Sequence, residues 1–224
     1  MTDSFRETLE DQTFGTPYRA PASHRIPTNG IGLLLAFSFS AGLLYWLAVT
    51  VLSGRSLAFD SALLLHIHAF EPARFVHFAN AVCVLVTVFS VLMLAYLCWQ
   101  RRWTSALFWF GSTAGASILC GIAKKLMERH RPELWALATK HASFSFPSGH
   151  ATQSMAFVVA LLLLAPAAKR TTILALGLPW IALVALCRLY LGLHYPTDIL
   201  AGWALAAAWC CLLGLLRLPN AASR

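Results

Sequence analysis

Apolar residues in this chain gather into blocks of about 18–25, the length that crosses the hydrocarbon core of a bilayer. Six blocks stand at Ile31–Leu52, Phe75–Trp99, Trp103–Ala123, Ala151–Ala168, Ile173–Tyr190 and Ile199–Leu216. Inside lipid each backbone amide must find its partner within the structure, so only helices and closed barrels span. The alternating segments of roughly ten residues that make barrel strands are absent. The expected fold class is therefore all-α, a polytopic membrane protein with six transmembrane helices in one bundle. With 58% hydrophobic and 12% charged residues in 224, a soluble domain is excluded.

Residues 1–30 carry both charge signs, three prolines and no periodicity, and are expected to form a disordered cytoplasmic tail. The membrane domain is expected over 31–218, followed by a short cytoplasmic tail over 219–224. A secretory signal would place its short apolar region nearer the terminus, so Ile31–Leu52 reads as a permanent span. Gln100-Arg101-Arg102 and Lys169-Arg170 link spans two to three and four to five, and short basic loops face the cytoplasm. Both termini then lie on the inner side of the cell's inner membrane, and loops 53–74, 124–149 and 191–198 lie outside. Ser56–Phe70 is too short to span and is expected as an interfacial helix between the first and second spans. His66 and His68 fall within it, but their i, i+2 spacing points them apart on a helix.

Six cysteines lie in apolar runs without metal-ligand spacing and read as small buried hydrophobes. The net charge of +8 has no soluble basic face to present to nucleic acid. The motif Gly111-Ser112-Thr113-Ala114-Gly115 offers a small-residue surface for close helix packing.

Cations that a bare connector would not need stand on all three outer segments. Lys124, Lys125, Arg129 and Arg131-Pro132 follow the third span, Ser148-Gly149-His150 opens the fourth, and Arg188 and His194 close the fifth. Arg188 precedes His194 by six residues, roughly 9 Å deeper along a helix. An arginine within a span costs about 2.5–3.5 kcal/mol on insertion scales and needs a polar partner. The spans hold no Asp or Glu, and Asp198 has His194 as a nearer claimant, so an exogenous anion is the expected partner.

Guanidinium and ammonium groups beside a helix N-terminus make a phosphate site. A two-metal phosphatase would need clustered carboxylates, and Asp60, Glu71, Glu128, Glu133 and Asp198 are scattered in the sequence. No metal or other cofactor is expected. The tight Tyr195-Pro196-Thr197 crossover can bring Asp198 back to His194, fixing its tautomer and leaving one ring nitrogen as nucleophile. His150 suits proton donation to a leaving oxygen.

Three blocks, Lys124-x6-Arg131-Pro132, Pro147-Ser148-Gly149-His150 and Arg188-x5-His194-x3-Asp198, resemble the signatures of the type-2 phosphatidic-acid phosphatase superfamily. The resemblance implies phosphate binding by Lys124, Arg131, Ser148, Gly149 and Arg188. It implies a phosphohistidine on His194 oriented by Asp198, with His150 as general acid. Where the third block usually starts Ser-Arg, this chain has Cys187. Soluble vanadate-dependent haloperoxidases share the blocks, and the spans argue against them. The function expected is hydrolysis of the terminal phosphate of a membrane lipid phosphate or diphosphate, foremost a polyprenyl diphosphate such as undecaprenyl diphosphate. Phosphatidylglycerophosphate, phosphatidate and lipid A phosphatases are alternatives, as is transfer of the phosphoryl group to another lipid. A non-catalytic binder or transporter would need the cations without a tethered His194–Asp198 pair. Lys125, Arg129 and Lys140 are candidate contacts for a second phosphate or a headgroup.

Overall fold

The computed structural model describes residues 30–68, 75–133 and 143–217. Residues 1–29 of the first expected tail, all of the second, Glu71 and Lys140 lie outside the described residues. The elements are α1 (Gly30–Leu52), α2 (Leu57–His68), α3 (Phe75–Trp99), α4 (Trp103–Met127), α5 (Gly149–Leu164), α6 (Ala167–Tyr190) and α7 (Pro196–Arg217), with no strand among the described residues.

Five helices are long and apolar enough to cross a membrane: α1, α3, α4, α6 and α7. The remaining expected span, α5, has 16 residues, so at 1.5 Å per residue it reaches about 24 Å. It stops before Ala165-Pro166, where proline cannot continue the ladder of amide donors. Lys169 and Arg170, expected in a loop, therefore occupy the first turn of α6. At the other end α4 continues past Ala123 to carry Lys124 and Lys125 in its last turn, and α7 begins at Pro196 rather than Ile199.

α7 is the central post. It packs most extensively on α1 and α5 and also meets α4. Of its most apolar stretch 56% is buried, against 17% for α1. Small residues allow this, since Ala201, Gly202, Ala204, Ala206 and Ala208 are all buried along one helix. Trp209 donates its indole N–H to the Gly111 carbonyl at 2.8 Å, and a Cβ at Gly115 would sit 2.6 Å from the same nitrogen. The small-residue motif of α4 is thus the seat for Trp209. Ile31, Leu35, Phe39, Trp46, Leu92 and Leu107 point outward and are more than half exposed, as lipid-facing side chains are.

Two features join the ends of the bundle at the site. A Cβ on Gly202 would fall 2.7 Å from the Ser148 carbonyl oxygen, so α7 meets the start of α5 at backbone contact. The Ser148 amide in turn donates to the Asp198 carbonyl at 2.9 Å.

Candidate active site

Glu128 adopts a left-handed conformation at the end of α4 and turns the chain into the 129–133 loop. That loop is tied to the segment before α5, because the Ser145 amide donates to the Arg129 carbonyl at 2.8 Å and Ser145 Oγ to the His130 carbonyl at 3.0 Å. The first and second sequence blocks are joined there. Lys124 Nζ reaches up to the carbonyls of Phe144 (2.6 Å) and Ser145 (3.3 Å). Arg131 donates from Nε to the Ser143 carbonyl at 2.8 Å, from Nη2 to Ser143 Oγ at 2.9 Å and from Nη1 to the Leu193 carbonyl at 2.6 Å. An ammonium has three donors and a guanidinium five, so each cation keeps N–H groups for an anion.

The third block closes the cluster. Arg188 is buried in the last turn of α6. It lies near enough to Arg131 that, after burial itself, its repulsion is the main force lowering the Arg131 pKa. Three cations thus converge, with Asp198 the carboxylate that partly offsets Arg131. Ser148 is wholly buried, and among the described residues its Oγ has no hydrogen-bond partner; it does not cap α5. A buried hydroxyl of that kind is costly unless something accepts from it. Gly149 and His150 form the first turn of α5, both half-buried.

His194 is 2% exposed. Its Nδ1 lies 2.9 Å from the Ser145 carbonyl and 3.6 Å from Asp198 Oδ2. The first is a hydrogen bond, and the second is an electrostatic contact too long for a direct one. Burial lowers the His194 pKa to about 4, with Asp198 opposing and Arg131 and Lys124 adding to the drop. The ring is neutral at pH 7.

Among the described residues no group of three or more His, Cys, Asp or Glu side chains is placed to hold a metal ion. The expected headgroup contacts divide. Lys125 is exposed on α4. Arg129 is not at the rim: Nη1 donates to Asp198 Oδ1 at 2.6 Å and Nη2 to Asp60 Oδ2 at 2.7 Å, both carboxylates being fully buried. Asp60, Thr197 and the Ser145 carbonyl are site residues that sequence reasoning missed. Only Asp60 left a trace, as a lone carboxylate in an apolar stretch.

The profile of the PAP2 superfamily matches residues 105–220, more than half of the chain. A decaprenylphosphoryl-5-phosphoribose phosphatase of Mycobacterium tuberculosis is 39% identical over 105 residues, 44% of this chain and 55% of that protein. An undecaprenyl-diphosphatase of Sulfolobus acidocaldarius is 33% identical over 105 residues, 45% of this chain and 48% of that protein. The matches thus span about half the length of these relatives. The crystal structure of a transmembrane PAP2-type phosphatidylglycerolphosphate phosphatase from Bacillus subtilis superimposes with a TM-score of 0.68 at 21% identity, covering 87% of this chain and 97% of that one. The profile, which spans all three joined blocks and more than half of the chain, places the chain in the PAP2 superfamily.

Proposed function

We propose that this protein hydrolyses the terminal phosphate of a membrane lipid phosphate through a phosphohistidine on His194. The observation that carries the reading is the neutral, buried His194, with Nδ1 held by acceptors, beside Lys124 and Arg131, the latter with Arg188 close by. Nε2 attacks the terminal phosphorus, and the bond from that phosphorus to the leaving oxygen, the bridging oxygen of a diphosphate or the lipid oxygen of a monoester, breaks as His150 gives that oxygen a proton. Water then attacks the phosphohistidine, His150 takes the water's proton, and the P–N bond breaks to release phosphate and neutral His194. Lys124, Arg131, Arg188, the Ser148 hydroxyl and the amide of Gly149 balance charge on the equatorial oxygens. The positive charge is supplied by side chains, which supports a reaction without metal.

For the substrate we assign a polyprenyl diphosphate first. Both relatives described above are named for polyprenyl-linked substrates, which supports that tail. An apolar cleft of about 300 Å³ between α3, α5 and α6, lined by Phe89, Phe157, Leu176 and Trp180, supports a long chain lying along the bundle. With Arg129 paired, Lys125 is the described one of the three candidate cations left for a second phosphate, so the diphosphate headgroup rests mainly on the Sulfolobus relative. The site is placed on the outer side of the inner membrane with both termini cytoplasmic, the arrangement that the Arg101-Arg102 turn supports.

The test is phosphate release by pure protein in detergent from polyprenyl diphosphate, phosphatidylglycerophosphate and phosphatidate, with chelator present. Release that stops with His194→Ala, together with an acid-labile phosphoenzyme in the parent, is the expected result. Release that needs added magnesium, or that survives His194→Ala, would overturn it.

A further inference from the structure

Arg129 makes four hydrogen bonds from its two terminal nitrogens: Nη1 to Asp198 Oδ1 and Thr197 Oγ1, Nη2 to Asp60 Oδ2 and, at 3.4 Å, to Ser56 Oγ. Its guanidinium also lies 4.1 Å from the ring centre of Tyr195. Those bonds occupy the fork that would otherwise grip a phosphate in bidentate fashion. Asp60 reaches the same turn by other routes. Its Oδ1 accepts the Thr197 amide at 3.0 Å and its Oδ2 accepts Thr197 Oγ1 at 2.7 Å. A carboxylate from α2 therefore caps the start of α7, where the helix dipole favours it.

The other carboxylate in this cluster is the one that faces His194. The terminal torsion of an aspartate is broad and roughly two-fold, so a lone Asp198 would turn freely. Here Arg129 holds Oδ1, and the Tyr195 amide donates to Oδ2 at 2.9 Å. Oδ2 is then left facing Nδ1 of His194. Removing the guanidinium would leave two buried carboxylates uncompensated, and one of them would take up a proton or swing away.

We propose that Arg129 and Asp60 are positioning residues of the site: Asp60 anchors Arg129, and Arg129 fixes Asp198 in the orientation that stabilises His194 as it becomes cationic. The proposal rests on the phosphatase reading for its kinetic arm alone. It makes α2 a strut of the catalytic turn, and it removes Arg129 from the substrate contacts.

The test uses full-length protein in detergent, as wild type, Arg129→Ala, Arg129→Lys, Asp60→Asn, Asp198→Asn and the pair Arg129→Ala/Asp198→Asn. Residues that orient a reacting group through a neighbour typically cost about 10–100-fold. Arg129→Ala should lower kcat by about that factor on polyprenyl diphosphate and phosphatidate alike, with KM almost unchanged. Added to Asp198→Asn it should cost nothing more, because both act through one carboxylate. Asp60→Asn should lose less. The side-chain ¹⁵N resonances of His194, which Ser145, Asp198, Arg131 and Lys124 all face, should move in Arg129→Ala in the direction they move in Asp198→Asn. Losses that multiply with Asp198→Asn, a KM defect confined to the diphosphate, or unmoved His194 resonances would each overturn the proposal. If Arg129→Ala does not fold, Arg129→Lys and Asp60→Asn carry the same comparison. A wild type that releases no phosphate overturns the phosphatase reading, and the His194 resonances then decide the positioning alone.

Discussion

The main-chain carbonyl of Ser145 accepts from His194 Nδ1 at 2.9 Å. Asp198 Oδ2, the other polar atom near that nitrogen, is an acceptor as well, at 3.6 Å. With these two acceptors facing it among the described residues, Nδ1 carries the hydrogen, so Nε2 keeps its lone pair. A carbonyl cannot titrate, and the tautomer is thereby set by backbone. In the proposed mechanism Asp198 is left to answer charge when the ring becomes cationic.

The His194 pKa is lowered to about 4 by burial, while the unfolded chain would titrate near the usual 6.5. Between those values the unfolded state binds a proton that the folded state refuses. Stability is thus fully present above pH 6.5 and lost as pH falls toward 4. An NMR titration of labelled histidine should find His194 neutral through pH 5. Orthovanadate or phosphate should move its midpoint upward, because an anion offsets Lys124 and Arg131. A midpoint near 6.5 without ligand, unmoved by either anion, would sink this account.

Ser148→Ala should separate binding from stability. Among the described residues the hydroxyl makes no hydrogen bond, and it does not cap α5, so its removal takes away a buried unsatisfied group. Melting temperature in detergent should hold or rise. Affinity for vanadate should fall, since a hydrogen bond to a charged group contributes about 1.5–3 kcal/mol, roughly 10–100-fold. A drop in stability with unchanged vanadate affinity would mean that the hydroxyl serves the fold.

Much of this architecture was legible because bilayer length and the three blocks are local signals. The helices were readable from hydrophobic runs, and Lys124, Arg131, Arg188 and His194 stood out as ionisable groups where lipid-facing chain tolerates little. What escaped were contacts made only by folding. Asp60 and Arg129 are 69 residues apart, and no local spacing pairs them. The carboxylates looked scattered for the same reason, although Asp60 and Asp198 share one guanidinium. The Ser145 carbonyl was invisible because backbone groups carry no sequence identity. The end of α5 was misplaced because Ala165, Ala167 and Ala168 are apolar, and Pro166 alone breaks the helix.

Gly202 should tolerate no side chain. A Cβ there would meet Ser148 O at 2.7 Å, Thr152 Oγ1 at 3.0 Å and the Thr152 amide nitrogen at 3.1 Å, two of them backbone atoms that cannot rotate away. Gly202→Ala should cost about 1–3 kcal/mol by overpacking. It should also lower kcat, because the shift parts the Ser148 amide from the Asp198 carbonyl. Gly42→Ala is the control: nothing lies within 4 Å of its Cβ, and alanine is the better helix former. Thermal unfolding and phosphate release of the two variants give the comparison. Equal behaviour would mean that the α5–α7 contact is slack.

His150 should be the group whose loss depends on the leaving oxygen. It stands in the first turn of α5, two residues from the Ser148 hydroxyl and on the helix end that faces the cations. A lipid alkoxide is a poor leaving group, and proton donation as the bond breaks contributes typically 10²–10⁴-fold. His150→Ala should slow phosphoenzyme formation by about that factor on an alkyl phosphate. A phosphate ester with an acidic phenol needs no such proton, and a diphosphate leaves as the monophosphate, so both should lose much less. His194→Ala should abolish turnover on all three, since the covalent step is shared. Rapid-quench measurement of phosphoenzyme on an alkyl phosphate, a nitrophenyl phosphate and a polyprenyl diphosphate separates the cases. A uniform loss for His150→Ala would assign it to phosphate binding instead, leaving the leaving-group proton to come from solvent.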